Sequence, residues 1–188
     1  MTSADGSGRV LVVAATEREL GAVPGAETLA CGIGPVEAAA ATARALAERR
    51  PPALLHVGIA GARGLAIGTT VIGTEAVYCD LAAAVPVVDR ATPDEGLLDA
   101  LRAAFPAFPA LPIGTSARVG GTPASLQVEA MEGFAVLRAA ELAGVPAVEV
   151  RVVANAIDEP DRARWRFDEA LAVLAEQLPR LVAVVSAA

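Results

Sequence analysis

The sequence predicts an α/β fold in which a largely parallel sheet is buried between helices. Apolar runs rich in β-branched residues, which are typical of buried strands, alternate along the chain with stretches of helical periodicity. This alternation is typical of parallel strands that are covered on both faces by helices. No internal repeat and no second composition regime interrupts the pattern, so we expect one domain spanning residues 1–188.

The individual elements can be placed from periodicity and composition. We expect strands at residues 9–15, 53–58, 69–78 and 147–153. We expect helices at residues 35–48, 93–104, 131–143 and 167–185. The proline-rich residues 105–112 are interpreted as a loop inside the domain, and residues 1–8 as a flexible start.

Composition and charge restrict the classes of function. Hydrophobic residues make up 54% of the chain, yet no uninterrupted apolar run reaches the roughly 20 residues that span a bilayer. All 15 basic residues are arginine, which excludes Schiff-base chemistry on lysine and a phosphate-loop lysine. A net charge of -7 without a basic run makes nucleic acid a poor partner. We therefore expect a small-molecule ligand, with neither nucleic acid nor membrane as a partner.

The cysteine and histidine content gives no sign of a disulfide or a metal site. Cys31 and Cys79 are far apart in sequence and neither belongs to a C-x-x-C pair, so we expect both to be reduced and buried. His56, the single histidine, lies inside an apolar run and is interpreted as a core residue. We expect neither a metal nor a cofactor. Residues 1–9 lack the basic start and apolar stretch of a secretory signal, so we expect a cytoplasmic protein.

The residues around the predicted strand ends are the first candidates for a ligand site, because ligands of open α/β sheets collect at the carboxyl ends of the strands. The candidates are Glu19, the GIGP turn, Ala60 and Gly61 in the string GIAGARG, Glu132 at the start of a predicted helix, and Asn155. Each has an ordinary structural alternative. A first-turn acid, a tight glycine turn and a helix cap would leave the same residues in the same places.

Taken together, the order and spacing of these strings resemble the methylthioadenosine/adenosylhomocysteine nucleosidase and futalosine hydrolase families. The resemblance covers almost the whole chain and is carried by the strings ATEREL, GIGPVEAA, HVGIAGARG, IGTTVIGTEAVYCD, AMEGFAV, EVRVVANAID and RFDEALAVLAE. AMEGF together with Asn155 is more similar to futalosine hydrolase. The resemblance implies a single-domain phosphorylase/hydrolase-like three-layer fold, with a central mixed, largely parallel sheet flanked by helices. It also implies a homo-oligomer.

The resemblance assigns roles to the residues that would act on the sugar. It implies that Glu19 binds and activates the attacking water and that Arg151 helps to orient this water. Glu132 would hold the ribose hydroxyls while Met131 packs against the sugar. Phe167 falls where the family contacts the group attached at the ribose 5′ position. Carboxylates near the sugar suit hydrolysis of an N-glycosidic bond, because they stabilise an oxocarbenium-like transition state.

The purine base would meet Asn155 and the glycine-rich loop that contains Ala60 and Gly61. The resemblance implies an aspartate at position 155 in the adenosine-specific relatives, where it serves the purine N7. The amide of Asn155 offers both donors and an acceptor, so it can donate to a 6-oxo group and accept from a protonated N7. This pattern fits hypoxanthine better than adenine. Futalosine, which carries hypoxanthine, is the expected substrate, and the pathway is menaquinone biosynthesis.

Three alternatives stay open from the sequence. The chain could be a methylthioadenosine/adenosylhomocysteine nucleosidase or a nucleoside phosphorylase, although Arg63 is the one obvious candidate for a phosphate contact. It could also be an inactive nucleoside-binding protein, because a fold does not establish a function. Residues 116–131 contain no aromatic side chain that could stack on a purine.

Overall fold

The computed structural model describes residues 8–21 and 23–188 of the chain. Apart from Gly8, the predicted flexible start therefore lies outside the described residues. The strands are β1 (Leu11–Ala14), β2 (Glu27–Ala30), β3 (Leu54–Ala62), β4 (Thr70–Tyr78), β5 (Arg90–Ala91), β6 (Ala110–Thr115), β7 (Val128–Ala130) and β8 (Ala147–Ala156). The helices are α1 (Glu17–Leu20), α2 (Pro35–Glu48), α3 (Glu95–Ala104), α4 (Gly133–Ala143) and α5 (Phe167–Ala187).

The strands form one mixed sheet in which parallel pairing predominates. Its order is β2-β1-β3-β7-β6-β4-β5, and β8 pairs with both β3 and β4. The pairs β1–β2, β1–β3, β3–β8, β4–β6 and β6–β7 are parallel, whereas β3–β7, β4–β5 and β4–β8 are antiparallel. The prediction of an α/β fold with a mixed, largely parallel central sheet is confirmed.

Five of these strands close into a ring, because β3, β7, β6, β4 and β8 each pair with the next and β8 returns to β3. Small and branched apolar side chains from all five strands pack together in one cluster: Ala60, Ala62, Val71, Ile113, Val128, Ala130 and Val153. The inward side chain of Ala60 is therefore part of the core. The ring holds the last residues of β3 and β8 next to each other, and both strands carry predicted site residues.

Helices cover both faces of the sheet, as the predicted three-layer fold requires. On one face, α3 and α5 pack against alternate residues of β1, β3 and β8, including Val12, Leu55 and Val150. On the other face, α2 and α4 pack against the intervening residues, including Leu11 and Leu54. The period of two along each strand sends successive side chains to opposite layers.

The residues at the helix N-termini explain which of the predicted helix bounds agree with the structure. Helix α2 begins at Pro35, whose fixed φ suits the first helical position, and its predicted bounds are confirmed. Helix α3 begins two residues later than predicted, because Asp94 stands outside it as a cap and accepts from Leu97 N at 3.0 Å. Helix α4 begins after Glu132, so this acid precedes the helix and does not lie within it.

Helix α5 is the longest helix of the described residues. The stretch Arg162–Ala187 is long and apolar enough by length and composition to cross a membrane, since it contains an 18-residue window with a mean hydropathy of 1.5. Its most buried side chains recur at helical spacing and face the sheet: Ala170, Leu174, Leu178, Leu181, Val182 and Val185. This one-sided burial is typical of the amphipathic helix of a globular core.

Two sequence-based expectations were wrong in part. The predicted loop at residues 105–112 ends early, because β6 already begins at Ala110. Pro112 is accommodated in this strand where the β4–β6 register shifts between Gly73 and Glu75, and such an irregularity tolerates a residue without an N–H donor. Cys31 is buried as expected, but Cys79 is only half-buried.

Candidate active site

A cluster of buried charged side chains lies where β1, β3 and β8 approach the N-terminus of α4. In β8 the even-numbered residues from Val148 to Ala154 face the α3/α5 layer. The alternation therefore sends Glu149 and Arg151 to the opposite layer, which contains α2 and α4. His56 of β3 joins them, and all three side chains are buried. The strand pattern thus brings polar groups together inside the α2/α4 layer.

Arg151 is the centre of this cluster, with a relative exposure of 1%. Its Nε donates to Glu149 Oε1 at 2.8 Å. Its Nη2 donates to His56 Nε2 and lies 3.5 Å from Glu132 Oε2. A guanidinium that is bound along two of its edges has little rotational freedom.

Glu19 approaches the same guanidinium from the end of β1. Its Oε2 accepts from Thr16 N at 2.9 Å and from Thr16 Oγ1 at 2.8 Å, while its Oε1 accepts from Ile59 N at 3.2 Å. Gly58 separates it from Arg151. A Cβ atom built on Gly58 would lie 2.7 Å from Glu19 Oε1 and would collide with Arg151 Nη1. Glu19 Oε1 and Arg151 Nη1 therefore both pack closely against Gly58, in the volume that a side chain at this position would need.

Glu132 connects the cluster to the glycine turn before α2. Its Oε1 accepts from Gly34 N at 3.0 Å, and its Oε2 faces Arg151. Thr115 Oγ1 accepts from Phe134 N at 2.8 Å and so fixes the first turn of α4. Gly34 N therefore holds the carboxylate of Glu132, and the Thr115 hydroxyl holds the helical turn that follows it.

The electrostatics of the cluster are dominated by carboxylates. Glu19, Glu132 and Glu149 surround one guanidinium, and their negative charges raise the pKa of Arg151 despite its burial. Burial raises the pKa of Glu149, while Arg151 works in the opposite direction. Burial raises the pKa of the Cys31 thiol to about 12, and the neighbouring Glu132 adds to this shift. The thiol is thus kept protonated and is a poor nucleophile.

His56 is a core residue, as the sequence suggested, and it also contacts the charged cluster. Burial lowers its pKa well below 6.5, and the charge of Arg151 lowers it further. Its Nδ1 lies 3.0 Å from Val13 O and donates to it, so the neutral ring accepts from Arg151 with Nε2. His56 therefore acts as a neutral hydrogen-bond acceptor for the guanidinium.

Asn155 lies near the end of β8, on the strand adjacent to that of Gly61. Their backbones are register partners, and a Cβ on Gly61 would be 3.0 Å from Asn155 Nδ2. Nδ2 donates to Ala156 O at 2.9 Å, which uses one of its two N–H groups. Gly61 thus leaves room beside the amide, and Ala60 can present only its backbone to this region.

The two remaining predicted residues, Met131 and Phe167, are less buried than the charged cluster. Met131 is half-buried and directly precedes Glu132. Phe167 is half-buried at the start of α5, where its ring meets Trp165 edge-on with centroids 5.4 Å apart. An ion pair of 2.9 Å between Arg18 and Asp168 joins α1 to the start of α5. This pairing brings Phe167 towards the segment that carries Glu19.

A loop formed by residues 116–126 is fastened by Glu129 and Arg63. Glu129 Oε1 accepts from Gly120 N at 2.6 Å, and Oε2 accepts from the backbone and hydroxyl of Thr122. Arg63 donates to the carbonyl oxygens of Thr122, Pro123 and Leu126. Glu129 is the register partner of Gly61 on the side away from Asn155. The loop is therefore held at the same level of the sheet as the amide.

Other features do not compete with the cluster as a site. A cavity of about 400 Å³ lies between α3 and α5 and is lined by Phe105, Phe108, Glu176 and Arg180, among others. It faces the layer opposite to Arg151 and lacks a set of converging buried charges. Within residues 8–21 and 23–188, no three His, Cys, Asp or Glu side chains are grouped as metal ligands.

The fold agrees with a known class of protein. The family model of the Phosphorylase superfamily matches residues 22–188. The 5′-methylthioadenosine/S-adenosyl homocysteine nucleosidase of Helicobacter pylori superposes with a TM-score of 0.84 at 15% identity, covering 95% of this chain and 99% of that structure. The fold and the match to the family model together show that the chain belongs to the phosphorylase superfamily.

More similar sequences narrow the assignment. A futalosine hydrolase from Streptomyces coelicolor is 35% identical over 189 aligned residues, which cover 86% of this chain and 80% of that protein. A futalosine hydrolase from Thermus thermophilus is 32% identical over 82% of this chain and 80% of its own length. The chain belongs to the futalosine hydrolase family of this superfamily.

The sequence reasoning missed Glu149 and the contact of His56 with Arg151. Both could have been found from the strand pattern. In the string AVEVRVVAN, charged residues occupy alternate positions of a strand that is otherwise apolar, and such side chains must share one buried layer. A buried carboxylate two residues before a buried arginine is a pair, because an unpaired charge would be very costly there.

The buried state of His56 predicts that stability falls in mild acid. The folded chain keeps this ring neutral, whereas the unfolded chain protonates it below pH 6.5. The unfolded state then binds more protons, so the free energy of unfolding should fall by up to about 1.4 kcal/mol per pH unit below that point. The free energy of unfolding, measured with denaturant at several pH values between 8 and 5, should depend less steeply on pH in His56→Asn than in the wild type. The ring resonances of this single histidine should not titrate near pH 6.5 in the folded protein; titration there would contradict the assignment.

Proposed function

We propose that this chain, an N-glycosidic bond hydrolase by family, cleaves futalosine with water and releases hypoxanthine without a cofactor. One observation carries the proposal: Glu19, Glu132 and Arg151 converge in one buried cluster beyond the carboxyl end of β1 and beside the middle of β3. The futalosine hydrolases that share 35% and 32% identity with the chain support the choice of substrate. The proposed pathway is menaquinone biosynthesis.

Glu19 is the proposed general base. Its Oε1 accepts one hydrogen bond, from Ile59 N, and an oxygen with two lone pairs can accept a second from water. Arg151 Nη1 packs against Gly58 close to Glu19 Oε1 and would donate to that water. A water held between the two would present a lone pair to the sugar while Glu19 removes its proton. Arg151 thus orients the nucleophile.

Glu132 is the proposed ribose ligand. Its carboxylate is fixed by Gly34 N and faces Arg151, so its orientation exists before the substrate binds. Met131 lies directly before it and is half-buried, which suits contact with the sugar. Breaking an N-glycosidic bond develops positive charge on the ribose. The excess of carboxylate over guanidinium charge in the cluster would stabilise that charge more than it stabilises the neutral substrate.

Asn155 and Phe167 would recognise the two ends of the nucleoside. The amide of Asn155 can donate its second N–H to O6 of hypoxanthine and accept from N7–H as the base leaves. Gly61 and the backbone of Ala60 would contact the base. Phe167, which stands near α1 through the Arg18–Asp168 ion pair, would contact the group at the 5′ position.

The alternatives are less well supported by the contacts. A phosphorylase would need arginine for phosphate, but Arg63 already donates to three loop carbonyls. The methylthioadenosine/adenosylhomocysteine nucleosidase reading is supported by a fold likeness at 15% identity, whereas the futalosine hydrolases are more similar in sequence. An inactive nucleoside-binding protein would have no need to keep Glu19 and Arg151 together in a buried cluster.

We also propose a cytoplasmic homo-oligomer. Apolar side chains are exposed on two segments that flank the chemistry in sequence: Ile33 and Val36 at the glycine turn, and Leu81, Val85, Val87 and Val88 after β4. Apolar patches of this kind are typical of surfaces that are covered by another subunit. The reduced state of Cys31 and Cys79 is consistent with the cytoplasm.

A nucleoside panel tests the proposed function. The purified chain should release free hypoxanthine from futalosine in phosphate-free buffer, and the sugar product should carry no phosphate. Chromatography of the base and the sugar after incubation with futalosine, inosine and methylthioadenosine would measure this. Strict dependence on phosphate would assign a phosphorylase, and binding without release of base would assign an inactive protein.

Glu19→Gln tests the general base. The glutamine keeps the size and an acceptor, so the nucleoside should still bind, but turnover should fall by about 100-fold or more because the base is lost. Steady-state rates and equilibrium binding of the substrate would be compared. The neighbouring Glu17→Gln is the matched control, since Glu17 is exposed in the same short helix. Wild-type turnover in Glu19→Gln would refute the role.

Asn155→Asp tests how the base is read. Wild type should prefer hypoxanthine nucleosides over matched adenine nucleosides, because adenine sets an amine donor against the amide N–H. A mismatch of this kind in a buried site costs about 1–3 kcal/mol, or roughly 5- to 150-fold in kcat/KM. The aspartate cannot donate to O6 unless protonated, and in its protonated form it can serve N7 of adenine, so the preference should narrow or reverse. An unchanged ratio of kcat/KM would mean that Asn155 does not read the base.

A further inference from the structure

Glu149 is a fully buried acid in the cluster, with 0% exposure, and the proposed reaction gives it no role. It lies on β8 two residues before Arg151, so both side chains enter the α2/α4 layer. Its Oε1 accepts from Arg151 Nε at 2.8 Å. It thereby binds the edge of the guanidinium that His56 and Glu132 do not contact.

The second oxygen of Glu149 is directed at the start of α4. Within the described part of the chain, Oε2 has no hydrogen-bond partner. A Cβ built on Gly133 would lie 2.5 Å from Oε1 and 2.7 Å from the carboxyl carbon, and it would collide with Oε2. Glycine at this first position of α4 therefore makes room for the carboxylate. The Glu149 carboxylate thus lies between Arg151 and Gly133.

Stability alone does not account for this arrangement. Removing two charges from water costs several kcal/mol for each ion, and apolar side chains of similar volume are often equally stable or more stable in the same position. An acid with one unsatisfied oxygen recovers even less of that cost. A buried pair of this kind is better explained by what it does to the orientation of Arg151.

We propose that Glu149 is a positioning residue that holds Arg151 by its Nε, so that Nη1 stays against Gly58 and beside Glu19 Oε1. This inference rests on the proposed role of Arg151 in orienting the attacking water. Nε, Nη1 and Nη2 lie in one rigid plane. With Nε bound to Glu149 and Nη2 bound to His56, the direction of Nη1 is determined. Without Glu149 the guanidinium could pivot about its remaining contacts.

Glu149→Ala and Glu149→Gln test the proposal together. A shift of the nucleophile by about 1 Å can cost 100-fold in rate, so kcat for futalosine should fall by about 30- to 100-fold in Glu149→Ala while KM changes by less than about 3-fold. Glu149→Gln keeps an acceptor for Arg151 Nε and should stay within about 5-fold of the wild-type kcat. Glu141→Ala, which removes the exposed partner of Arg138 on α4, is the control and should leave both constants unchanged.

Gly133→Ala provides a second, independent measurement. Its Cβ should displace the Glu149 carboxylate and lower kcat, but it should have little further effect on kcat in the Glu149→Ala background, where the space is vacant. Two changes that act through one contact are non-additive in this way. Thermal unfolding of all variants would be recorded, so that rates are compared among folded proteins.

The outcomes separate this inference from the proposed function. If wild type does not hydrolyse futalosine, the proposed function fails before any variant is considered. If wild type is active and Glu149→Ala keeps the wild-type kcat, only the positioning role is overturned. It is also overturned if KM rises as much as kcat falls, if Glu149→Gln is as impaired as Glu149→Ala, or if the effects of Gly133→Ala and Glu149→Ala simply add.

Discussion

The structure depends most on the burial of Arg151 among three carboxylates. A guanidinium removed from water is tolerated only when its donors are satisfied, and here Glu149, His56 and Glu132 meet them from two strands and the residue before a helix. Removing this single cation would leave several acids close together without compensation. The charge of Arg151 therefore allows Glu19 and Glu132 to lie close together, as the proposed action on one small substrate requires.

The backbone accommodates this cluster by omitting side chains at two contact points. Gly58 lets Glu19 and Arg151 pack against its α-carbon, and Gly133 leaves room for Glu149 at the start of α4. The same cluster explains why the one histidine of the chain stays neutral, since burial and the adjacent cation both lower its pKa. Packing and electrostatics thus act together, because the two glycines let the charged groups pack closely and the charge of Arg151 helps to keep His56 neutral.

The sequence predicted the parts of the fold that have strong local signals. Helix α2 has a proline at its first position and a long alanine-rich repeat, so its bounds were predicted correctly. Strands β2, β5 and β7 contain four, two and three residues, which is too short for a periodic signal, and β6 was hidden by Pro112. The convergence of Glu19, Glu132 and Arg151 followed from family resemblance, because residues so far apart in sequence meet only through strand order. The alternation of charged and apolar residues in β8 indicated that Glu149 is buried beside Arg151, but the family resemblance assigned no role to Glu149.

The geometry also separates the charged cluster, which we propose acts on the sugar, from Asn155, which we propose reads the base. Arg151 and Asn155 lie on the same strand, but the first belongs to the charged cluster while the second contacts Gly61, whose other neighbour in the sheet, Glu129, fastens the loop at residues 116–126. Glu129 and Arg63 fasten that loop through its own backbone, without contact to the cluster. A change at the base end can therefore alter which purine is accepted while the carboxylates and the guanidinium keep their positions. Such a division allows one hydrolytic centre to serve nucleosides with different bases, since the positive charge that develops on the ribose is the same in each case.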